Sequence, residues 1–404
     1  MHVLYDADGP MSGAAWVDQQ NEEQFLQSSH DRMDWEEVLA WSPEQRVAGF
    51  RNHDLIYTTS TVFAGNHVRP LPVHPARLLD VTYRIWNFER HPVLIPMFRT
   101  YDLDDFLRHN NVTGLIAVKS GKVVLERYAA GNTEETLWGS MSVTKSIVSL
   151  LAGAAISDGF IRDTDDLISE YLPALKGTAY DSVTVEHLLR LSTGISWVPD
   201  YENPDWVRAQ SMSATELTAF LGSQERSAFV GKEFNYNDEE VNVLSAVVSA
   251  AVGQNLASYL ESRIWKPAGM EEDATWMMIP DSLHTGGCCF SASLRDYARL
   301  GLFALNNGRL DDITAVLPPE WMHRSTQPSE SASNYGYLWW LYADGSYAAM
   351  GIHGQLIHIN PEEELVVAIQ SAWETATGDD YYVHQDAFIS AMTRLLDTTR
   401  TTTD

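Results

Sequence analysis

Cysteine is nearly absent from this chain: two in 404 residues, Cys288 and Cys289, side by side. Adjacent cysteines are poor partners for an ordinary disulfide. No C-x-x-C pair or Cys/His cluster occurs, so a disulfide scaffold is excluded and there is no zinc signature. His53, His67, His74 and His91 are scattered without metal-ligand spacing. Basic residues are scarce too, with 27 Lys plus Arg against 55 Asp plus Glu and a formal charge of −28. Such a surface repels nucleic-acid phosphates and anionic membranes, and it favours solubility. Long apolar runs are lacking: Ile147–Ile156 is about half the length a membrane span needs. The first 30 residues hold no basic stretch followed by an apolar one, so no secretory signal is read and the cytoplasm is the expected location. G-x-S-x-G, H-E-x-x-H, G-x-x-x-x-G-K-[ST] and G-x-G-x-x-G are all missing, so neither cofactor nor metal is expected.

What is present is a large apolar fraction, 45% against 20% charged residues, enough to bury a substantial core. Residues 1–100 mix acidic patches, tryptophans and the proline-rich passage Arg69–Pro75. They are read as an extension packed on the body, with a short helix near Glu36–Gln45 and a strand near Leu55–Val62. From Leu103 the pattern sharpens. Asp102–His109 reads as a helix, and Gly114–Lys119 with Lys122–Tyr128 reads as a hairpin around Ser120-Gly121. Between residues 155 and 275 helical patterns dominate: Ile161–Leu175, a helix starting at Val183, Thr215–Leu221, Glu239–Val252 and Leu256–Trp265. Leu294–Leu305 and Pro319–Arg324 are further helices. Tyr335–Tyr342, Ser346–Gly351, Gln355–Asn360 and Glu364–Ser371 then form an antiparallel meander, closed by an amphipathic helix over Tyr381–Leu396. The expected organisation is an α/β domain of residues 101–154 and 276–397, an inserted, mainly helical domain of residues 155–275, and a tail of residues 398–404. A cleft between the two domains is where a site would form.

The most informative stretch lies at the mouth of the apolar run 147–156. In Met141-Ser142-Val143-Thr144-Lys145-Ser146, Ser142 and Lys145 are three apart, so on a helix the hydroxyl and amine share a face. The start of a helix adds unpaired N–H groups and partial positive charge beside Ser142. A serine there could attack an acyl carbon, with Lys145 taking its proton and the Ser142 N–H binding the developing oxyanion. An S-x-x-K pattern arises by chance about once in a chain this long. None of the other five lysines, however, has a serine three residues earlier. A second proton handler is needed for the leaving group, and Tyr236, on the polar loop Phe234–Asp238, is suited to it. The glycines of Ala348–Gln355 would let an edge strand approach a ligand and complete the oxyanion hole.

These motifs, together with Tyr171-Leu172-Pro173-Ala174-Leu175, Thr184–Leu189 and Thr193-Gly194, resemble the β-lactamase-related serine hydrolases. Within that superfamily the likeness is to the 6-aminohexanoate-dimer hydrolases, through Asp200-Tyr201, Tyr236, Gly286-Gly287 and Gly351-Ile352-His353-Gly354-Gln355. The resemblance runs from about Leu103 to about Leu396 and implies an α+β, β-lactamase/transpeptidase-like fold, an antiparallel sheet flanked by helices plus a helical domain. It implies Ser142 as nucleophile, Lys145 as general base, Tyr236 as acid/base, and the N–H groups of Ser142 and Ile352 as oxyanion hole. Tyr201, Thr285 and His353 would contact substrate. Two departures stand out. Tyr236-Asn237 is followed by Asp238 where β-lactamases carry Asn, and Ala349-Met350-Gly351 replaces their Lys-Thr-Gly. Losing that lysine removes the cation for a substrate carboxylate, so efficient β-lactam hydrolysis is not expected. The expected activity is amide cleavage in a short linear substrate. A carboxylesterase, a transacylase and a non-catalytic acyl-binding module are the rival readings. The expected partner is a small-molecule substrate, with at most a second copy of the chain, and neither nucleic acid nor membrane.

Overall fold

One long strand, buried almost throughout, sends its side chains alternately into two cores. In Val112–Lys119, Leu115 and Ala117 join one apolar cluster while Ile116 and Val118 join the other, the two-residue period of a strand covered on both faces. The computed structural model describes residues 25–26, 35–75, 78, 80–86, 98–196, 214–279, 283–311 and 313–397.

A helix over Trp35–Ala40 precedes α1 (Pro43–Arg51), whose start is set by a Ser42/Gln45 capping box and a proline in its first turn. Strand β1 (Thr59–Val62), the hairpin-like pair β2 (Tyr83–Trp86) and β3 (Phe98–Tyr101), and α2 (Leu103–His109, capped by Asp102) follow. Then come β4 (Val112–Lys119), β5 (Lys122–Tyr128), β6 (Trp138–Gly139) and the central helix α3 (Val143–Ser157). After short helical segments the chain enters α4 (Glu239–Val252), ended by Gly253 in the left-handed region. It continues through β7 (Ala274–Ile279), β8 (Leu283–His284), β9 (Phe290–Ala292) and α5 (Leu294–Leu305). Strands β10 (Trp340–Leu341), β11 (Tyr347–Gly351), β12 (Gln355–Asn360) and β13 (Leu365–Ser371) precede α6 (Asp379–Asp397).

The main sheet is antiparallel throughout, in the order β10-β11-β12-β13-β4-β5. Helices α2 and α6 cover one face, where the Phe106 and Phe388 rings stack with centroids 4.1 Å apart. On the other face α5 packs on β12, β13 and β4. A Cβ at Gly301 would stand 2.5 Å from Val366 Cγ1, so only glycine allows that approach. Helix α3 runs between this sheet and α4 and is buried on nearly every side, as its all-round apolar sequence requires.

Several elements differ from the sequence reading. Ile161–Leu175 is not one helix but two 3₁₀ turns, Ile168–Glu170 and Pro173–Leu175, because Pro173 cannot donate to a continuing helix. The strand expected at Leu55–Val62 is a helical turn, His53–Ile56, followed by the shorter β1. Within Tyr335–Tyr342 only Trp340–Leu341 is strand. A second sheet was not foreseen: β1-β7-β9-β6, with β8 on β7. Its strands have two to six residues, too few to show a period, and β1 joins from the N-terminal extension. The cysteines also differ from expectation. Cys288 and Cys289 are bonded to each other, across a cis peptide that brings their Cα atoms to 3.2 Å. Among the described residues no single helix is long and apolar enough to cross a membrane.

Candidate active site

The turn before α3 presents Ser142. Met141 adopts a left-handed conformation (φ 47°) and Ser142 is the N-cap residue. The amides of Val143, Thr144 and Lys145 donate to the carbonyls three residues back, which leaves the Ser142 N–H as the first-turn amide beside β11. The turn is pinned from several sides. Ser140 N–H donates to Phe290 O at 2.7 Å, Phe290 N–H donates to Thr144 Oγ1 at 3.0 Å, and the Tyr297 hydroxyl donates to Trp138 O at 2.6 Å.

Lys145 is 1% exposed and Ser142 8%. The Lys145 ammonium donates to Ser142 Oγ at 2.9 Å and to Gly287 O at 2.7 Å, and it is ion-paired with Asp238. Its Nζ also stands 4.9 Å from the centre of the Tyr236 ring, in cation–π range. Burial works against a charge on Lys145, but Asp238 and then Tyr236 outweigh it, so the amine is held above the ordinary lysine range.

Each partner is delivered by a local rule. Asp238 begins α4 as its N-cap residue. Gly286 and Gly287 donate their amides to Asn242 Oδ1 at 2.7 and 3.2 Å. A Cβ at Gly287 would stand 2.4 Å from Asp238 Cβ, so this loop reaches Lys145 only with glycine there. Tyr236 is set by an aromatic wall, with Trp340 at 5.5 Å and Tyr335 edge-on at 6.0 Å between centroids. Below the loop lies Glu240, fully buried, accepting a hydrogen bond from the Thr193 hydroxyl; burial pushes its carboxyl up to about 8.

The opposite wall is the end of β11. A Cβ at Gly351 would lie 2.6 Å from Ser140 O and 3.0 Å from the Ser142 amide nitrogen. The backbone at Gly351-Ile352 therefore runs against the Ser142 turn, where an oxyanion hole would need a second N–H.

Ser142, Lys145 and Tyr236 are thus brought together, with Ile352 one residue beyond the contact. Two expected substrate contacts are not. Thr285 is buried, its hydroxyl donating to Met277 O and Cys288 O. His353 is buried behind the strand, with Nδ1 2.9 Å from Trp373 O and its ring against Phe50. Burial pushes it down to about 3, so it is a neutral packing group. Tyr201 lies outside the described residues. The sequence reading missed Asp238, Asn242 and Glu240 as parts of the site. The signal for Asp238 was visible as the odd third residue after Tyr236, whereas the other two only show their role once α4 is docked.

A serine whose hydroxyl is bonded to a buried lysine, at the start of a central helix beside an antiparallel sheet, defines a serine hydrolase of the β-lactamase/transpeptidase-like fold. The chain belongs to the beta-lactamase family: the model of that family matches residues 107–388. It is an enzyme of this family, whose members act through an acyl-enzyme. It is 24% identical over 325 residues to a 6-aminohexanoate-dimer hydrolase from Paenarthrobacter ureafaciens, covering 74% of this chain and 82% of that one. It is 27% identical over 192 residues to the esterase EstB from Burkholderia gladioli, 42% of this chain and 48% of the relative. Among solved structures, a candidate 6-aminohexanoate-dimer hydrolase from Bacillus anthracis superposes with a TM-score of 0.75 at 20% identity, over 88% of this chain and 95% of the other.

Proposed function

We propose that this enzyme hydrolyses an amide bond in a short, linear oligomeric or peptide-like substrate through an acyl-enzyme on Ser142. The observation that carries the reading is the buried Lys145 Nζ, 2.9 Å from Ser142 Oγ and 4.9 Å from the Tyr236 ring centre. Asp238 holds Lys145 charged, so Lys145 can receive the Ser142 proton only while passing one on. The Asp238 carboxylate, ion-paired with Lys145, takes that proton, and the Tyr236 phenol keeps its own for the leaving group. Ser142 Oγ bonds to the acyl carbon as the carbonyl electrons move to oxygen, where the Ser142 and Ile352 amides would stabilise the charge. Collapse of the adduct expels the amine, which takes its proton from Tyr236. Water then repeats the sequence on the ester formed at Ser142.

The amide preference is supported by the likeness to the Paenarthrobacter hydrolase. A carboxylesterase on the same site is the second reading, favoured by the likeness to EstB and by the smaller protonation demand of an alkoxide leaving group. The test is a panel of ω-amino acid dimers, short peptides, β-lactams and short esters, scored by kcat/KM, together with fluorophosphonate labelling. Labelling of Ser142 with highest kcat/KM on linear amides is expected. Ester turnover without amide turnover would replace the amide reading, and failure of folded protein to label would remove Ser142 as nucleophile.

A further inference from the structure

Across the main sheet from Ser142, α2 and α6 bring together three donor side chains that the hydrolytic site does not use. His109 is the last residue of α2. Asp380 and His384 are four apart in the first turns of α6, hence on one helix face. His109 Nε2 is 3.0 Å from Asp380 Oδ2, and the His109 and His384 rings stack at 3.7 Å between centroids with 23° between planes. One donor atom from each of the three side chains lies within 4.8 Å of the other two. No sequence spacing shows this, because one ligand is supplied by a helix before the sheet and two by the helix after it.

The surroundings hold one of these ligands in place. The Tyr83 hydroxyl is 2.7 Å from His384 Nδ1, which commits that nitrogen and leaves Nε2 to ligate. The Tyr101 ring meets the His384 ring edge-on at 4.6 Å. Asn110, next to His109, donates its amide to Tyr381 O at 3.0 Å and so ties the two helix ends together. A hydrogen bond to the far nitrogen of a histidine is the support that metal-ligating histidines require. The Asp380 side chain is 76% exposed, which provides an entry path and a position for water as a fourth ligand.

We propose that His109, Asp380 and His384 bind a divalent transition metal of the zinc, cobalt and nickel class, clamping the end of α2 to the start of α6. Two imidazoles and one carboxylate suit these ions, whereas calcium and magnesium prefer all-oxygen sites. In a tetrahedral zinc site, donor atoms about 2.1 Å from the ion stand roughly 3.4 Å apart, which small side-chain rotations reach from the present spacing. The sheet separates the cluster from Ser142, so the ion would stabilise the helix pair and take no part in hydrolysis.

The experiment uses the full chain, stripped with chelator and dialysed. Zinc chloride is titrated by calorimetry, cobalt chloride by visible absorption, and melting is followed with and without zinc. The expected result is one saturable site, cobalt d–d bands and a higher Tm in zinc. Asp380→Asn, at an exposed position, and His109→Ala should each weaken binding at least tenfold. Tyr83→Phe should weaken it by about tenfold while keeping all three ligands. Ester turnover by the Asp380→Asn variant should equal that of the parent. Absence of saturable binding tighter than about 100 μM would overturn the proposal. So would binding that survives in the His109→Ala/Asp380→Asn double variant, since the cluster would then be only an ion pair between stacked rings.

Discussion

Lys145 stands between Ser142 and Asp238: its Nζ donates to Ser142 Oγ at 2.9 Å and is ion-paired with the Asp238 carboxylate. β-Lactamases, with Asn at this place, have a neutral amide there. The carboxylate changes both the resting charge of the lysine and the choice of proton acceptor.

Asp238→Asn tests this. Asp238 raises Lys145, so removing its charge lets Lys145 lose its proton at lower pH. The acid limb of the kcat/KM profile on p-nitrophenyl esters should move to lower pH. The plateau should fall by about 10²-fold, because an acceptor for the relayed proton is gone. A profile unchanged in position and height would take Asp238 out of the proton path.

Tyr236→Phe separates leaving-group protonation from attack. An amine leaves only with a proton, whereas p-nitrophenolate leaves without one. Amide kcat/KM should drop by about 10²–10³-fold and activated-ester kcat/KM by less than about tenfold. Equal losses on both substrates would mean that the phenol serves another step.

Gly351→Ala addresses the wall facing Ser142. The new methyl would meet Ser140 O at 2.6 Å and Met141 Cβ at 2.9 Å, so the strand or the nucleophile turn must move. Overpacking of this kind costs about 1–3 kcal/mol of stability. A displacement of this size at the reacting atoms costs about 10²-fold in turnover. Full activity together with an unchanged Tm would mean that β11 does not border the reacting atoms.

Glu240 gives a pH signature in stability. Burial raises its carboxyl to about 8 in the folded protein, against about 4.3 in an unfolded chain. Between those values the folded state holds the proton and the unfolded state does not. Stability from this group is therefore complete below about pH 4 and is lost as pH rises through 8, by an amount on the order of a few kcal/mol. Glu240→Gln keeps the oxygen that accepts from Thr193 and removes the titration. The difference in Tm between variant and parent should grow in the variant's favour from pH 5 to pH 9; a constant difference would show that Glu240 does not change charge there.

Where a run of residues carries its own signal, the sequence reading and the fold agree. Asp102 caps α2, Lys122–Tyr128 pairs with the strand before it, and Ser142 starts α3. Where pairing partners are distant and strands short, no local signal exists. Thr59–Val62 finds β7 more than two hundred residues away, and Arg46, in the N-terminal extension, donates to Trp373 O at 2.8 Å beside His353.

By itself the sequence determined which hydroxyl and which amine share a helix turn, because i and i+3 spacing is a property of the backbone. It also determined the family and singled out Tyr236, whose ring stands beside that amine. Only the tertiary structure decided that Asp238 would hold that amine charged, that Thr285 and His353 would be spent inside the core, and that His109 would meet Asp380 and His384. Those outcomes depend on which helix end docks against which strand, and such contacts are fixed by packing across the whole chain rather than by neighbours along it.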